Sequence, residues 1–294
     1  MYLNLVCFVV KYSSENLLYA LGVRTLKGEK NMILATEKDI QRIFDYIGDD
    51  FGKCAYLYLD FKEYGVSNEN VKLWFAEDKC GDISAITLKY YNGQHLFSRE
   101  NNFDSEEVAE LVKRESPIML CGMKNTLEKI KPFFPNNNLE TGKVLQLIKD
   151  DYSGITHPNA KIASPDDIDD IVDLLMTDDV MGSPYTRDLL KAQFEERFRT
   201  GFGRSFIVRT DDGKLLGTSG SYAEIDNMSV ISGGIVSEES RGQGIYSAVL
   251  GSICKSLLDD GKTCISYYYK HGIVAHNRVG FKILGDWAKL ELDK

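Results

Sequence analysis

The segment between residues 233 and 247, Gly-Gly-Ile-Val-Ser-Glu-Glu-Ser-Arg-Gly-Gln-Gly-Ile-Tyr-Ser, has residue types suited to binding a phosphate. An apolar run that predicts a strand precedes it, and a helical apolar periodicity begins at about Gly244. The first N–H groups of a helix have no intrahelical acceptor, and the helix dipole adds about half a positive charge there. Gly242 and Gly244 let phosphate oxygens approach the backbone. The segment therefore predicts an anion site, although a plain tight turn has the same glycine pattern.

Two common phosphate motifs are absent from the sequence. No GxxxxGK[ST] segment occurs, which excludes a Walker-type nucleotide loop. The dinucleotide pattern GxGxxG lacks its third glycine after Gly244. Its strand–helix–strand context is also missing, because the strands predicted before the loop form a meander.

The glycine segment resembles motif A of the GNAT N-acetyltransferase superfamily, whose pattern is [Arg/Gln]-x-x-Gly-x-[Gly/Ala]. Arg241 and Gly244 match this pattern, whereas Tyr246 stands where the family has a small residue. A second stretch, Asn277–Lys282, is similar to the family's closing Tyr-x-x-x-Gly-Phe element. The two elements occur in the family's order. The resemblance therefore implies a GNAT acyl-CoA acyltransferase fold over about residues 160–292, an α/β (α+β) architecture with a mixed sheet.

The resemblance implies that acetyl-CoA is the co-substrate, without a metal, and that it lies between the strands Ser229–Val236 and Cys264–Tyr268. Its diphosphate is expected on the backbone amides of residues 242–247. Its pantetheine arm is expected beside Ile235 and Val236, at the end of the strand before the loop, where one backbone N–H polarises the thioester carbonyl. Tyr246 must then point away from the diphosphate or alter the local path. The cofactor-binding residues implied in this way are Ile235, Val236, Arg241, Gly242, Gln243, Gly244, Ile245, Tyr246 and Ser247.

The chemistry implied by the resemblance is direct attack of a primary amine on the thioester, with proton removal and thiolate protonation as the protein's tasks. His276 replaces the family's tyrosine four residues before Gly-Phe and is the expected acid, unless it only packs. Tyr267–Tyr269 are nearby alternatives. Glu224, at the end of the second meander strand, is the expected base, with Glu238 or a chain of waters as alternatives.

An acidic stretch, Asp166–Asp179, borders the acceptor cleft in such a fold. Its aspartates favour a small cationic acceptor, such as a polyamine, an aminoglycoside or a lysine-like group. The alternative is that they solvate one helix face and suit the positive end of the helix dipole.

The elements that must position these residues are predicted clearly in the second half. Ser164-Pro165 predicts a helix N-cap followed by proline at the first helical position. A second helix, a three-strand meander, the motif A helix, a strand, a short helix and a last strand follow. These elements are predicted at Arg187–Thr200, Ser205–Arg209, Leu215–Ala223, Ser229–Val236, Gly244–Asp260, Cys264–Tyr268, Gly272–Arg278 and Trp287–Leu292.

The first half has a similar order of predicted elements, which looks like a second, degenerate GNAT domain as in the mycothiol synthase-type tandem proteins. The place of motif A, Phe97–Glu106, has no glycine and several carboxylates, so no cofactor is expected there. The predicted domains are residues 1–145 and 146–294, the first serving as a scaffold or in acceptor recognition. Its elements are predicted at Met32–Ile47 (helix), Ala55–Phe61, Val71–Phe75, Ile83–Tyr91 and Gln94–Phe97 (strands), Ser105–Lys113 (helix), Pro117–Cys121 (strand) and Asn125–Phe133 (helix).

Composition narrows the class of protein. A chain of 294 residues with 43% hydrophobic and 27% charged residues suits two folded domains and excludes a disordered protein. The net charge of −9 argues against a nucleic-acid partner. The six cysteines form no CxxC pair, and the apolar start Tyr2–Val10 lacks a basic region. We expect a cytoplasmic protein without a membrane partner, and its oligomeric state is open.

The leading hypothesis is an acetyl-CoA-dependent N-acetyltransferase that acts on a small amine. An alternative from another class is a non-catalytic module that senses acyl-CoA or a small ligand, which the absence of tyrosine at position 276 favours. An aminoacyl-tRNA-dependent peptidyltransferase on the tandem fold is a third interpretation. The acidic charge and the intact motif A both disfavour it.

Overall fold

The computed structural model describes residues 32–178, 186–268 and 273–292, which divide into two compact units. Within these ranges, the N-terminal unit comprises residues 32–50, 56–140 and 288–292, and the C-terminal unit comprises residues 51–55 and 141–287. The main division thus lies at 140/141, whereas the sequence predicts a boundary at 145/146. Each unit also contains one short segment from the opposite half of the chain.

The N-terminal unit is a mixed sheet covered by helices. Its strands follow the order β1-β2-β3-β4-β5, antiparallel except for the parallel pair β4–β5. One apolar face of α3, including Val108 and Leu111, packs against Leu96 and Leu120 of the sheet. The elements are β1 (Ile33–Leu34), α1 (Ile40–Ile47), α2 (Ala55–Tyr64), β2 (Val71–Glu77), β3 (Ile83–Tyr90), β4 (Gly93–Phe97), α3 (Ser105–Glu115), β5 (Met119–Met123) and α4 (Lys124–Ile130).

The C-terminal unit has a sheet with the order β7-β8-β9-β10-β11-β6, in which only β10 and β11 are parallel. On one face, α7 buries Leu250, Ile253 and Leu257. A separate apolar core lies among α5, α6 and the sheet and includes Ile235. The elements are β6 (Leu139–Leu147), β7 (Lys161–Ile162), α5 (Ile168–Met176), α6 (Arg187–Thr200), β8 (Ser205–Arg209), β9 (Leu215–Glu224), β10 (Met228–Val236), α7 (Ile245–Asp259), β11 (Thr263–Tyr268), α8 (Ile273–Val279) and β12 (Lys282–Glu291).

The two units repeat one sequence of elements and one local capping structure. Each has a short edge strand, two helices, a three-strand meander, a helix, a strand parallel to the last meander strand, and a further helix. Before the first helix, the Thr36 N–H donates to the Asp39 carboxylate at 2.8 Å, and the Ser164 N–H donates to that of Asp167 at 2.9 Å. These capping boxes satisfy the same orphan donors at the same place in both units.

The predicted fold class, a mixed α/β sheet of GNAT type, is confirmed, and two local predictions are wrong. Ala55–Phe61 is the start of helix α2, not a strand. Its apolar residues alternate with tyrosines that are also largely buried, so the helix imitates the period of a strand. The predicted helix Met32–Ile47 begins as strand β1.

None of the helices in the described ranges is long and apolar enough to cross a membrane. Across the same residues, no group of three histidine, cysteine, aspartate or glutamate side chains is arranged to hold a metal ion.

Candidate active site

The glycine segment forms a loop between strand β10 and the N-terminus of helix α7. After β10 ends at Val236, one 3-10 turn leads to Gly242 and Gly244, which have positive φ angles of 77° and 80°. No atom lies within 4 Å of a Cβ atom placed on either glycine, so the space beside both is open. The first N–H groups of α7 face a loop that presents no side chain at either glycine. This is the arrangement in which helix N-termini bind phosphate.

Local hydrogen bonds hold the loop in this shape. The Arg241 N–H donates to the Glu238 carbonyl at 3.2 Å, and the hydroxyls of Ser237 and Ser240 share a hydrogen bond of 2.7 Å. The Gln243 side chain donates to the Glu239 carbonyl at 2.7 Å. The side chain of Gln243 therefore stabilises the loop, and only the backbone N–H of Gln243 is a candidate for binding a ligand.

Beside this loop, the two parallel strands of the sheet separate. Their register runs from Met228↔Thr263 to Ile231↔Ser266, whereas β10 continues to Val236 and β11 to Tyr268. The register of β10 with β9 shifts between Ser232 and Ile235, where Gly233 has a φ of 64°. At this bulge the pairing of β10 with β9 is interrupted, and its ladder with β11 has already ended at Ile231. The result is an opening in the sheet next to the phosphate-type loop.

Tyr246 and His276 lie together at this opening. A Cβ atom on Gly234 would lie 2.6 Å from both Cε2 and the hydroxyl of Tyr246, so the ring rests on the β10 backbone. The ring centroids of Tyr246 and His276 are 6.2 Å apart, with an interplanar angle of 68°. His276 Nε2 and the Ser266 hydroxyl share a hydrogen bond of 3.0 Å, and the His276 side chain is buried. Burial raises the pKa of Tyr246, which keeps its phenol protonated at neutral pH.

The closing element places His276 through two close contacts. The N–H groups of Gly280 and Phe281 both donate to the His276 carbonyl, and the Phe281 ring meets the imidazole edge-to-face at 5.0 Å. A Cβ atom on Gly280 would lie 2.0 Å from the Asp151 carbonyl oxygen. The Gly-Phe pair is therefore required for close packing and for aligning His276 beside β11.

Glu224 lies away from the loop, in an ion pair. Arg204 donates to its two carboxylate oxygens at 2.9 and 2.7 Å, and the Ser221 hydroxyl donates at 2.7 Å. In the sheet, Glu224 is opposite Ser229, five residues before Gly234, which corresponds to about 16 Å along a strand. This geometry does not support the expectation of a general base. Glu238, the alternative, is exposed in the 3-10 turn beside the glycines.

On the other face of β11, Tyr267 contacts a segment that sequence analysis missed. The Ala55 N–H donates to the Tyr267 hydroxyl at 3.2 Å, and the Tyr267 ring meets Trp287 edge-to-face at 5.5 Å. A Cβ atom on Gly52 would lie 3.2 Å from Cδ1 of Ile265. Residues 51–55 therefore cover the face of β11 opposite His276. No sequence signal indicates this contact, because it joins residues more than 200 positions apart. Tyr268 packs on the α7 side, and Tyr269 lies outside the described residues.

The aspartates of α5 are paired inside the C-terminal unit. Arg187 binds Asp169 and Asp173 at 2.8 and 2.6 Å, and Lys191 binds Asp169 at 2.8 Å. Hydrogen bonds from Lys191 and Arg187 lower the pKa of Asp169. Arg209 likewise binds Asp167 and Asp170. These cations neutralise most of the negative charge of the helix. The helix therefore does not support the expectation of a cationic acceptor. Asp179 lies outside the described residues.

The matching helix of the N-terminal unit, α3, has a different N-terminus. Its N-cap is Asp104, whose carboxylate accepts from the N–H groups of Glu106 and Glu107 at 3.2 Å each. These are the donors that the glycines of α7 leave open. A phosphate would have to displace a carboxylate here and approach two further acidic side chains.

The architecture of this chain is the GNAT acetyltransferase fold, as the sequence resemblance predicts. An acetyltransferase of the GNAT family from Colwellia psychrerythraea has 14% identity and a TM-score of 0.55, with 90% of this chain and 100% of that chain aligned. A GCN5-related N-acetyltransferase from Sphaerobacter thermophilus has 12% identity and a TM-score of 0.58, over 88% and 93%. A tandem GNAT protein from the clavulanic acid biosynthesis pathway aligns over 88% and 97%, at 9% identity and a TM-score of 0.53. No protein-family model and no curated protein matches the sequence significantly.

Proposed function

We propose that the protein is an acetyl-CoA-dependent N-acetyltransferase that acetylates a primary amine of a small acceptor. The observation that carries this proposal is the position of the open α7 N-terminus directly beside the separation of β10 and β11. One feature suits a diphosphate, and the other suits an extended arm bound between strands. The similarity of fold to acetyltransferases supports acetyl transfer from acetyl-CoA in general and does not identify the acceptor.

The residues of the loop fit the diphosphate of acetyl-CoA. Backbone N–H groups of residues 242–247 would bind it, and the dipole of the 15-residue helix α7 would add to the attraction. Acetyl-CoA supplies a thioester, whose carbonyl carbon the acceptor amine attacks. Ile235 and Val236 would offer backbone groups to the pantetheine arm, and a preorganised N–H at this bulge would stabilise the developing oxyanion.

The positions of the side chains suggest which groups would protonate the thiolate and remove the amine's proton. His276 lies at the β11 side of the opening and is the candidate for protonating the departing thiolate, with its ring oriented by Ser266. Glu224 is paired with Arg204 and lies away from the loop, so it is not positioned to accept the amine's proton. Solvent, or the exposed Glu238, would take that proton.

The proposal is tested by binding and turnover of acetyl-CoA in matched glycine variants. Gly244 and Gly261 have φ angles of 80° and 79° at opposite ends of α7, and the space beside both is open. Alanine imposes the same backbone strain at either position, but only at Gly244 does the new methyl group meet the diphosphate. We expect Gly244→Ala to weaken acetyl-CoA binding at least 10-fold and Gly261→Ala to leave it unchanged. No binding to the wild type, or equal effects of the two variants, would overturn the proposal.

A non-catalytic acyl-CoA-sensing module is the second candidate. The histidine at position 276 and the ring of Tyr246 at the opening favour it. Thiol release measured with a panel of amines separates the two candidates. Binding of acetyl-CoA without turnover on any amine would favour the sensor.

The N-terminal unit is proposed to be a degenerate GNAT-like domain that binds no cofactor. The repeated element order and the matched capping boxes of Thr36 and Ser164 support a common origin with the C-terminal unit. The Asp104 cap occupies the donors that a phosphate would need. Calorimetric titration of CoA should therefore give one site per chain, and a second site that survives Gly244→Ala would contradict this assignment.

A further inference from the structure

Tyr246 is both a residue of the phosphate-type loop and a wall of the opening beyond it. Its backbone belongs to the first turn of α7, where N–H groups are free to bind a diphosphate. Its side chain extends to β10, where Cε2 and the hydroxyl lie 2.6 Å from the position of a Cβ atom on Gly234. The ring therefore begins at the diphosphate site and ends at the strand bulge.

The other edge of the ring faces α8 and β11. The centroids of Tyr246 and His276 are 6.2 Å apart, and His276 is held by Ser266, the last residue of β11 in register with β10. Gly234 lies three residues beyond Ile231, the partner of Ser266. The phenol ring thus lies across the place where the two strands separate.

We propose that Tyr246 controls access of the acyl-bearing arm of acyl-CoA to this opening, and that its ring must swing away before the thioester can bind. The inference rests on the proposed function, because it concerns the same site. An arm that leaves a diphosphate bound at residues 242–247 and runs back along β10, past Val236 and Ile235, meets the ring where it lies on Gly234. Gly234 is the matching feature, since any larger residue there would expel the ring from this position.

Ligands with and without the arm test this proposal. ADP carries the diphosphate without the arm, and acetyl-CoA carries both. Affinities for each are measured by calorimetry with the wild type, Tyr246→Phe, which keeps the ring, and Tyr246→Ala, which removes it. We expect Tyr246→Ala to bind acetyl-CoA at least 10-fold more tightly than the wild type, Tyr246→Phe to match the wild type within 2-fold, and ADP to bind all three equally.

Other outcomes separate the failure of this inference from the failure of the proposed function. If acetyl-CoA binds the wild type and Tyr246→Ala equally, the ring does not control access, and the proposed function stands. An equal gain for ADP would show that the ring obstructs the diphosphate, which also overturns the inference. If acetyl-CoA binds none of the proteins, the proposed function fails. Tyr246→Leu retains apolar volume in the core and replaces Tyr246→Ala if the latter does not fold.

Discussion

The phenol ring of Tyr246 lies directly on the backbone of Gly234, at a distance that leaves no room for a Cβ atom on the glycine. Gly234 does not have a positive φ angle, so an alanine there meets no backbone strain, and the three atoms nearest to its Cβ all belong to the Tyr246 side chain. The motif residue that departs from the GNAT pattern and the bulge glycine are therefore a complementary pair.

This pair predicts strong energetic coupling. Gly234→Ala should destabilise the C-terminal unit by about 1–3 kcal/mol when Tyr246 is present, because the ring must be displaced. In a Tyr246→Ala background the same change should be nearly neutral. Urea unfolding of the four proteins, followed by Trp287 fluorescence in a Trp74→Phe background, measures the coupling. An equal effect of Gly234→Ala in both backgrounds would show that the ring is not the obstacle.

The ion pair of Glu224 with Arg204 predicts a role in stability. The Glu224 side chain is 7% exposed and that of Arg204 is 22% exposed, and Glu224→Gln leaves the partly buried guanidinium with only the more exposed Asp260 carboxylate as a charge partner. We expect a loss of about 2 kcal/mol, below the range for a buried charge left wholly unpaired, with an unchanged pH profile of turnover in the protein that remains folded. Glu238→Gln, at an exposed site, should leave stability unchanged. A Glu224→Gln protein of wild-type stability with an altered pH profile would restore Glu224 as a base.

We expect the Asp104 cap to contribute measurably to the stability of the N-terminal unit. Its carboxylate accepts two backbone hydrogen bonds at the start of α3, so Asp104→Ala should reduce stability by about 1 kcal/mol, and Asp104→Asn should retain most of it. Thr186→Ala removes the single side-chain bond at the start of α6 and serves as the control in the other unit. Thermal unfolding monitored by Trp74 and Trp287 separately should assign each loss to its own unit. A loss reported by the wrong tryptophan would contradict the division into two units.

His95 predicts acid sensitivity of the N-terminal unit. Burial lowers the pKa of His95 to about 4, and the imidazole stacks on Tyr56 at 5.7 Å. An unfolded histidine has a pKa of about 6.5, so between pH 6.5 and 4 the folded state binds fewer protons than the unfolded state. The contribution of neutral His95 to the free energy of unfolding is therefore fully present above pH 6.5. This contribution is lost as the pH falls from about 6.5 toward 4, by about 3 kcal/mol in total.

The measurement is the free energy of unfolding at several pH values for the wild type, His95→Phe and His157→Gln. His95→Phe keeps an aromatic ring against Tyr56 and removes the titrating group, so its stability should fall less between pH 7 and 4. His157 lies in the other unit, and its variant is the control for removal of a histidine outside the N-terminal unit. If the free energy of unfolding of the wild type and of His95→Phe fell in parallel with pH, His95 would be excluded as the source of the acid sensitivity.

Local signals in the sequence account for the parts of the fold that were predicted correctly. Gly242 and Gly244 favour a loop, and the apolar periodicity after them favours a helix, so the loop and the start of α7 follow from one short stretch of consecutive residues. Helix α2 was missed for the opposite reason. Six of its first seven residues are buried, Tyr56 among them, and burial on all sides erases the helical period on which prediction depends.

The sequence by itself determined the order of the main elements in the second half, the glycine segment before α7 and the N-cap at Ser164, because each depends on residues within a few positions of one another. Only the tertiary structure decided that Tyr246 rests on Gly234, that Glu224 pairs with Arg204, and that Ala55 binds Tyr267. These contacts join residues between 12 and 212 positions apart. Their geometry depends on strand register, on the bulge in β10 and on which face each side chain takes, and none of these is encoded in a short stretch of chain.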